Sequence, residues 1–194
     1  MTNNRQIEII KELNDNRSKL SALYSLYNSA LIGAEDERTE ISSYYEQMID
    51  FKNDVSLIAN MVFAAKKTER SKAVTQNKSK IKRINSEADE VNSNFKDSCS
   101  KYRLALKDCG ALKTEYKHKV SELCKEFKSI CEPDESTFKG YRQQVKLIKL
   151  ILEKIEVLIS DYNVKKNKVE KDSENFNQLY ESVNSMIGQL QTIA

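Results

Sequence analysis

FKGYRQQVKLIKLILEKIEVLISDYNVKKNKVEKDSENFNQLYESVNSMIGQL, residues 138–190, decides the fold. From Phe138 a line of spacing three and four runs through Tyr141, Val145, Ile148, Leu152, Ile155, Ile159, Tyr162, Lys166, Val169, Ser173, Phe176, Tyr180, Val183, Ile187 and Leu190 without a slip. Alternation of three and four keeps one stripe of a helix turned toward a partner, which is the seam of a coiled coil.

The pattern extends upstream through most of the chain. A second seam passes through Ile81, Ile84, Ala88, Val91, Phe95, Ser98, Tyr102, Ala105, Cys109, Leu112 and Tyr116, then shifts phase once to continue through Val120, Leu123, Phe127 and Ile130. Between the two seams stands Cys131-Glu132-Pro133-Asp134-Glu135, with the only proline and an aspartate suited to cap the next helix. The spacing therefore predicts a helix ending near Ile130, another from about Glu135 to the C-terminus, and an antiparallel pairing of the two as a long hairpin. Further upstream, Ile10, Leu13, Arg17, Leu20, Tyr24, Tyr27 and Leu31 form one seam, and Ile41, Tyr44, Met48, Phe51, Val55, Ile58, Val62 and Ala65 form another. Gly33 lies between them, followed by Glu35, Asp36 and Glu37. A glycine suits the left-handed residue that closes a helix, and acids suit a new first turn. These signs predict a turn at residues 32–35 and an N-terminal helical hairpin over 1–65.

The seam fails over residues 66–83. Eight cations (Lys66, Lys67, Arg70, Lys72, Lys78, Lys80, Lys82, Arg83) stand there against the single acid Glu69, a local charge of +7 in a chain of +3. Two arrangements are open: a continuous helix of roughly 97 residues and about 145 Å, or a basic connector that breaks the helix. Thr75-Gln76-Asn77 is a poor helix centre and favours a break there. The fold expected is all-α, an elongated antiparallel coiled coil or four-helix bundle with two short and two long helices, over 1–65, the connector 66–83 and the hairpin 84–194.

Composition agrees. One proline and four glycines in 194 residues leave little to interrupt a helix, and 31% charged residues describe long solvated faces. No stretch of 18 apolar residues occurs, and Met1-Thr2-Asn3-Asn4-Arg5-Gln6 lacks the features of a cleavable signal, so a cytoplasmic protein is expected, with signal-less secretion left open. Cys99, Cys109, Cys124 and Cys131 fall on one expected helix, the nearest pair seven residues apart. Seven residues of helix span about 10 Å, whereas a disulfide needs Cα atoms within about 7 Å, so reduced thiols are expected.

Two stretches are richer in apolar residues than a two-helix seam requires: Val55–Ala65 with nine in eleven and Val145–Ile159 with ten in fifteen. A helix apolar over more than a third of its circumference must be covered from more than one side, either by other helices of the chain or by a partner. Val55, Ile58, Val62, Phe63, Leu147, Leu150, Ile151 and Leu158 are accordingly candidate partner-interface residues. A polar residue at Leu150 or Phe63 is expected to abolish association before helicity.

Catalytic constellations are sparse. His118 and Glu115 have the Glu-x-x-His spacing of di-metal carboxylate bundles, but those use the motif twice and this chain has one histidine. Cys124 and His118 lie nearly 9 Å apart along a helix and on different sides, which does not suit a nucleophile and its base. Gly33, Gly110, Gly140 and Gly188 are dispersed and form no phosphate loop. No catalytic, metal or cofactor residues and no small-molecule substrate are expected.

Leu31-Ile32-Gly33 at the expected helix turn resembles the L-x-G or W-x-G signature of small helical-hairpin substrates and partners of type VII secretion systems, over three residues and without the tryptophan. The resemblance implies a signal-less helical protein that works by pairing with other helices. Two functions follow from the residues themselves. The first is a non-enzymatic adaptor, chaperone or structural rod that binds itself or another helical protein through apolar faces. The second is an electrostatic docking module that uses the eight cations of 66–83 on an anionic membrane, nucleic acid or acidic protein. That stretch offers no aromatic residue to stack on a base and no apolar face to enter a bilayer, which ranks it second.

Overall fold

The computed structural model describes residues 2–193, and every regular element in them is helical. Met1 and Ala194, the ends of the expected first and last helices, lie outside the described residues. In chain order the helices are α1 (Thr2–Ala64), α2 (Arg70–Leu104), α3 (Cys109–Ser129) and α4 (Glu135–Gln191), with a 3-10 turn at Lys67–Glu69. They are shared between two compact units. Unit 1 holds Met1–Gly33 and Leu104–Lys165, and unit 2 holds Ala34–Arg103 and Lys166–Ala194. Each unit is thus a bundle of three helices: part of α1, part of α4, and either α3 or α2.

Heptad lines organise both cores. In unit 2 the line is Ala34, Ile41, Met48, Val55 and Val62 on α1, Val74, Ile81, Ala88, Phe95 and Tyr102 on α2, and Val169, Phe176, Val183 and Leu190 on α4, and all of them are buried. Phe95 stacks on Phe176 with ring centroids 3.7 Å apart, and Tyr45 approaches the same ring. Contacts fix the directions: Asp54–Lys80 and Glu37–Lys101 make α1 antiparallel to α2, while Tyr45–Phe176 and Ser56–Met186 make α1 parallel to α4.

Unit 1 repeats the plan with more polar content. Its lines are Gln6, Leu13, Leu20 and Tyr27 on α1, Leu106, Lys113, Val120 and Phe127 entering and along α3, and Tyr141, Ile148, Ile155 and Tyr162 on α4. Phe127 stacks on Tyr141 at 4.0 Å, and Lys113 reaches Glu156, so α3 and α4 are antiparallel. Asp134 caps α4, accepting from the Thr137 backbone N–H at 2.8 Å. Arg5 donates to both carboxylate oxygens of Glu126, at 2.7 and 2.9 Å, and Gln6 donates to the Cys131 carbonyl, which ties the start of α1 to the end of α3.

The expected four-helix bundle is corrected to three helices per unit, because no turn occurs at Gly33. Helix α1 is continuous across it, and no described glycine has a positive φ. The physical reason is register: Tyr27, Ala34 and Ile41 lie seven apart, so the seams on either side of Gly33 are one line, and Ala34 is buried on it. Burial along that line outweighs the helix cost of one exposed glycine, about 0.5–1 kcal/mol. Glu35 pairs with Arg38 within the helix instead of opening a new one. The Leu31–Gly33 resemblance therefore loses the hairpin turn it rests on.

The break near the basic stretch is real but lies earlier than Thr75-Gln76-Asn77. Helix α1 ends at Ala64 and α2 begins at Arg70, so most of the basic stretch is helical. Val74 is in phase with Ile81 and Ala88 but twelve residues beyond Val62, so the line restarts there. Its burial anchors the first turns of α2, while Thr75 and Asn77 bond back to the carbonyls of Ser71 and Ala73. The phase shift read near Tyr116–Val120 also moves. It sits at residues 105–108, where helicity is interrupted and the buried line steps from Tyr102 to Leu106, four residues in place of seven.

Candidate docking site

Helix α4 meets two neighbours within each unit, so it needs apolar residues on both sides of its central line. Ile151 and Leu158 supply one flank, Leu152 and Ile159 the other. Much of the surplus over Val145–Ile159 is thereby used inside unit 1. Val55–Ala65 behaves similarly in unit 2, where Val55, Ile58, Ala59 and Val62 are all buried. Four of the candidate interface residues, Val55, Ile58, Val62 and Leu158, are thus core residues covered by the chain itself. That is a correction: a partner cannot reach them without opening the bundle.

The other four remain at the surface. Phe63 is exposed at the end of α1 beneath the Arg70 guanidinium, 5.7 Å from its ring centroid. Leu147 and Ile151 are half-buried, and Leu150 is 46% exposed. These last three belong to one feature, a groove of about 590 Å³ between α1 and α4 in unit 1. Its α4 rim is Leu147, Leu150, Ile151 and Lys154; its α1 rim is Arg17, Ser18, Ser21, Ala22 and Ser25. Four of the five α1 rim side chains are small, and the side chains of Leu147 and Ile151 are only partly covered. Lys154 lies over the Tyr24 ring at 5.9 Å, which holds its charge at the groove edge.

No carboxylate lines the groove. Beside it the outer face of α4 carries Lys139, Arg142, Lys146 and Lys149 at helical spacing, with Arg142 stacked on exposed Phe138 at 5.6 Å. Sequence reasoning missed the α1 rim and this basic stripe. A signal for both was present: no acid occurs between Asp15 and Glu35, nor between Glu135 and Glu153. In a chain with 29 acids, two acid-free stretches that pack together mark one positive surface.

Of the eight cations of the basic stretch, three are engaged within unit 2. Arg70 donates to the carbonyls of Phe63 and Ala65 and so closes the C-terminal end of α1. Lys80 pairs with Asp54 at 3.2 Å and Arg83 with Glu87 at 3.8 Å. Lys66, Lys67, Lys72, Lys78 and Lys82 are exposed. The last two edge a second groove of about 430 Å³, floored by Val74 and Ile81 near Gln191.

The residues weighed for chemistry are dispersed. His118 is exposed and lies 3.8 Å from Glu122, while Glu115 turns to Lys119, whose ammonium lowers the carboxyl below its ordinary range. Cys124 faces Tyr141 on α4, and burial with this thiol raises the phenol. All four cysteines are free, and burial pushes the Cys99 thiol up to about 11. Among the described residues no group of His, Cys, Asp and Glu is placed to hold a metal, and no helix is long and apolar enough to cross a membrane.

No family model matches the chain, and no curated protein matches its sequence. Among solved structures it is similar to a computationally designed three-helix bundle, at 14% identity and a TM-score of 0.42, over 96% of this chain and 93% of that one.

Proposed function

We propose that this protein is a non-enzymatic interaction module, an adaptor, chaperone or structural rod, that receives a helix of a protein partner or of a second copy on its surface. The observation that carries the reading is the α1–α4 groove of unit 1, about 590 Å³ with Leu150 left 46% exposed at its rim. A groove between parallel helices with an apolar rim of Leu147, Leu150 and Ile151 is a shape that an amphipathic helix fills, with anchors at spacings of three and four. Free thiols, two of them buried, accord with a cytoplasmic site of action.

A titration tests this directly. Stapled amphipathic helices with acidic, uncharged or basic outer faces are added to the full chain, binding is read by fluorescence anisotropy, and mass is read by light scattering. Saturable binding of any peptide, or a dimer that persists in high salt, supports the reading. A monomer that binds none of them overturns it.

A second reading, electrostatic docking through residues 66–83, is favoured by the exposure of Lys66, Lys67, Lys72, Lys78 and Lys82. Such docking weakens steeply with salt. Retention on a polyanion resin that survives when these lysines become glutamine counts against it.

A further inference from the structure

The interaction surface of unit 1 has a sign as well as a shape, and the sign selects the occupant. We propose that the α1–α4 groove takes an acidic amphipathic helix of a protein partner, seated with its apolar face on Leu147, Leu150 and Ile151 and its carboxylates toward Arg17, Lys154 and the cations of α4. This rests on the interaction reading above and specifies its partner.

Three observations converge. Each rim, Ser18 to Ser25 and Leu147 to Lys154, advances by steps of three and four over seven residues, so both present two helical turns, about 10 Å, to whatever lies between them. Four of the five α1 rim residues, Ser18, Ser21, Ala22 and Ser25, are small, which lets a third backbone come close while Leu150 supplies an exposed anchor. Finally, the charge is one-sided. Arg17 and Lys154 stand at the groove and no acid lines it. Lys139, Arg142, Lys146 and Lys149 continue the positive field along α4, opposed on that face only by Glu135 and Glu153. A basic helix approaching this surface meets like charge at close range, whereas an acidic one is steered onto it. Discrimination of this kind comes from the repulsive arm as much as from the attractive one.

The rim line does not end at Leu150. Val157 and Val164 follow at intervals of seven on the same outer side of α4, 70% and 69% exposed. A partner helix longer than two turns therefore has further apolar footing along unit 1.

The experiment uses the full chain and a fluorescein-labelled stapled helix of about 18 residues with leucines at i, i+3, i+4 and i+7 and glutamates elsewhere, against otherwise identical lysine and glutamine versions. The glutamate helix is expected to bind at least about tenfold tighter than the lysine helix. Leu150→Glu is expected to weaken it by about tenfold or more with helicity unchanged by circular dichroism. Ser21→Phe, which fills the groove from the other rim, should do the same. Arg17→Glu with Lys154→Glu should reverse the preference between the glutamate and lysine helices. Lys96→Glu with Lys171→Glu, exposed in unit 2, should leave binding within about twofold.

Equal binding of the three helices, all lost in Leu150→Glu, overturns the acidic assignment while the interaction reading stands. No binding by any helix overturns the acidic assignment, and with a salt-insensitive monomer it overturns that reading too. Dimerisation of the unliganded chain that Leu150→Glu abolishes assigns the groove to a second copy, and phosphatidylserine vesicle binding abolished by the same variant assigns it to a membrane; each overturns the proposal.

Discussion

Unit 2 buries every member of its three heptad lines, with Tyr102 alone among them carrying a polar atom, whereas unit 1 puts Gln6 and the half-buried Tyr27 and Lys113 on the corresponding lines. Gln6 is accommodated by its bond to the Cys131 carbonyl, and Lys113 by an ion pair with Glu156. Both units also leave apolar side chains at the surface: unit 1 exposes Leu26, Leu150, Val157 and Val164 and carries the α1–α4 groove, and unit 2 exposes Leu57, Met61 and Phe63 and carries the smaller groove over Val74 and Ile81. The same period of seven thus yields a fully buried set of lines in one place and a set with polar, half-buried members in another. In unit 1 the partly covered flank of α4 also borders an acid-free groove, so apolar and basic features meet there.

The largest effects should come from breaking the closed core. Phe176 is fully buried and stacked on Phe95, so Phe176→Ala is expected to cost about 3–5 kcal/mol in urea denaturation. In unit 1 the half-buried Tyr27 of the α1 line should cost about 1–2 kcal/mol when changed to alanine. A Tyr27→Ala variant that is as damaging as Phe176→Ala would erase the contrast between the units. A smaller effect of opposite sign tests the passage from one unit's sequence to the other's. Gly33 is helical and exposed, with nothing within 4 Å of where a Cβ would sit, so Gly33→Ala should stabilise by about 0.5–1 kcal/mol. Had Gly33 been a left-handed cap, the same change would destabilise, so a lowered melting temperature sinks the continuous-helix account.

The thiols sharpen the contrast without altering stability. Cys99 and Cys109 are buried, Cys124 is half-buried and Cys131 is exposed. A thiol reagent at neutral pH should modify Cys131 first and leave Cys99 unmodified until the chain unfolds. Early labelling of Cys99, followed by peptide mapping, would show unit 2 to be less closed than its core implies.

How much of this was legible in the sequence differs by feature. The long seam from Tyr141 to Leu190, the cap at Asp134 and the stop before Pro133 could all be read, because local chemistry and periodicity agree there. The turn expected at Gly33 does not form, and the reason lies in register. Glycine followed by acids is a sound local stop signal, but the seams before and after it share one register, and a true turn has no reason to preserve phase across itself. Conversely, the restart at Val74 and the four-residue step from Tyr102 to Leu106 are phase breaks that mark interruptions more faithfully than Thr75-Gln76-Asn77 or any glycine does. The interface residues were half legible. Periodicity showed that Val55–Ala65 and Val145–Ile159 carry a surplus, but only three-helix packing decides which members face a neighbour. The groove needed a different signal, the absence of acids, which becomes meaningful once α1 and α4 are known to be parallel neighbours in unit 1.

The smallest expected effect lies at the clamp of unit 1. Glu126 receives both Arg5 bonds, and the guanidinium holds its carboxyl below the ordinary range. A depressed folded value means that the folded state binds fewer protons than the unfolded chain over the interval between the two values. The contribution is therefore complete above the unfolded carboxylate value, about 4.3, and is lost as pH falls through the depressed folded one. Both side chains are some 40% exposed, so the effect is screened by salt and modest. Glu126→Gln should lower the melting temperature slightly at pH 7, and the gap from the wild type should close as pH falls below about 4. A gap that stays constant across that range would mean that Glu126 acts by packing alone, and that the polar clamp does not help hold the first turns of α1 on the less complete core.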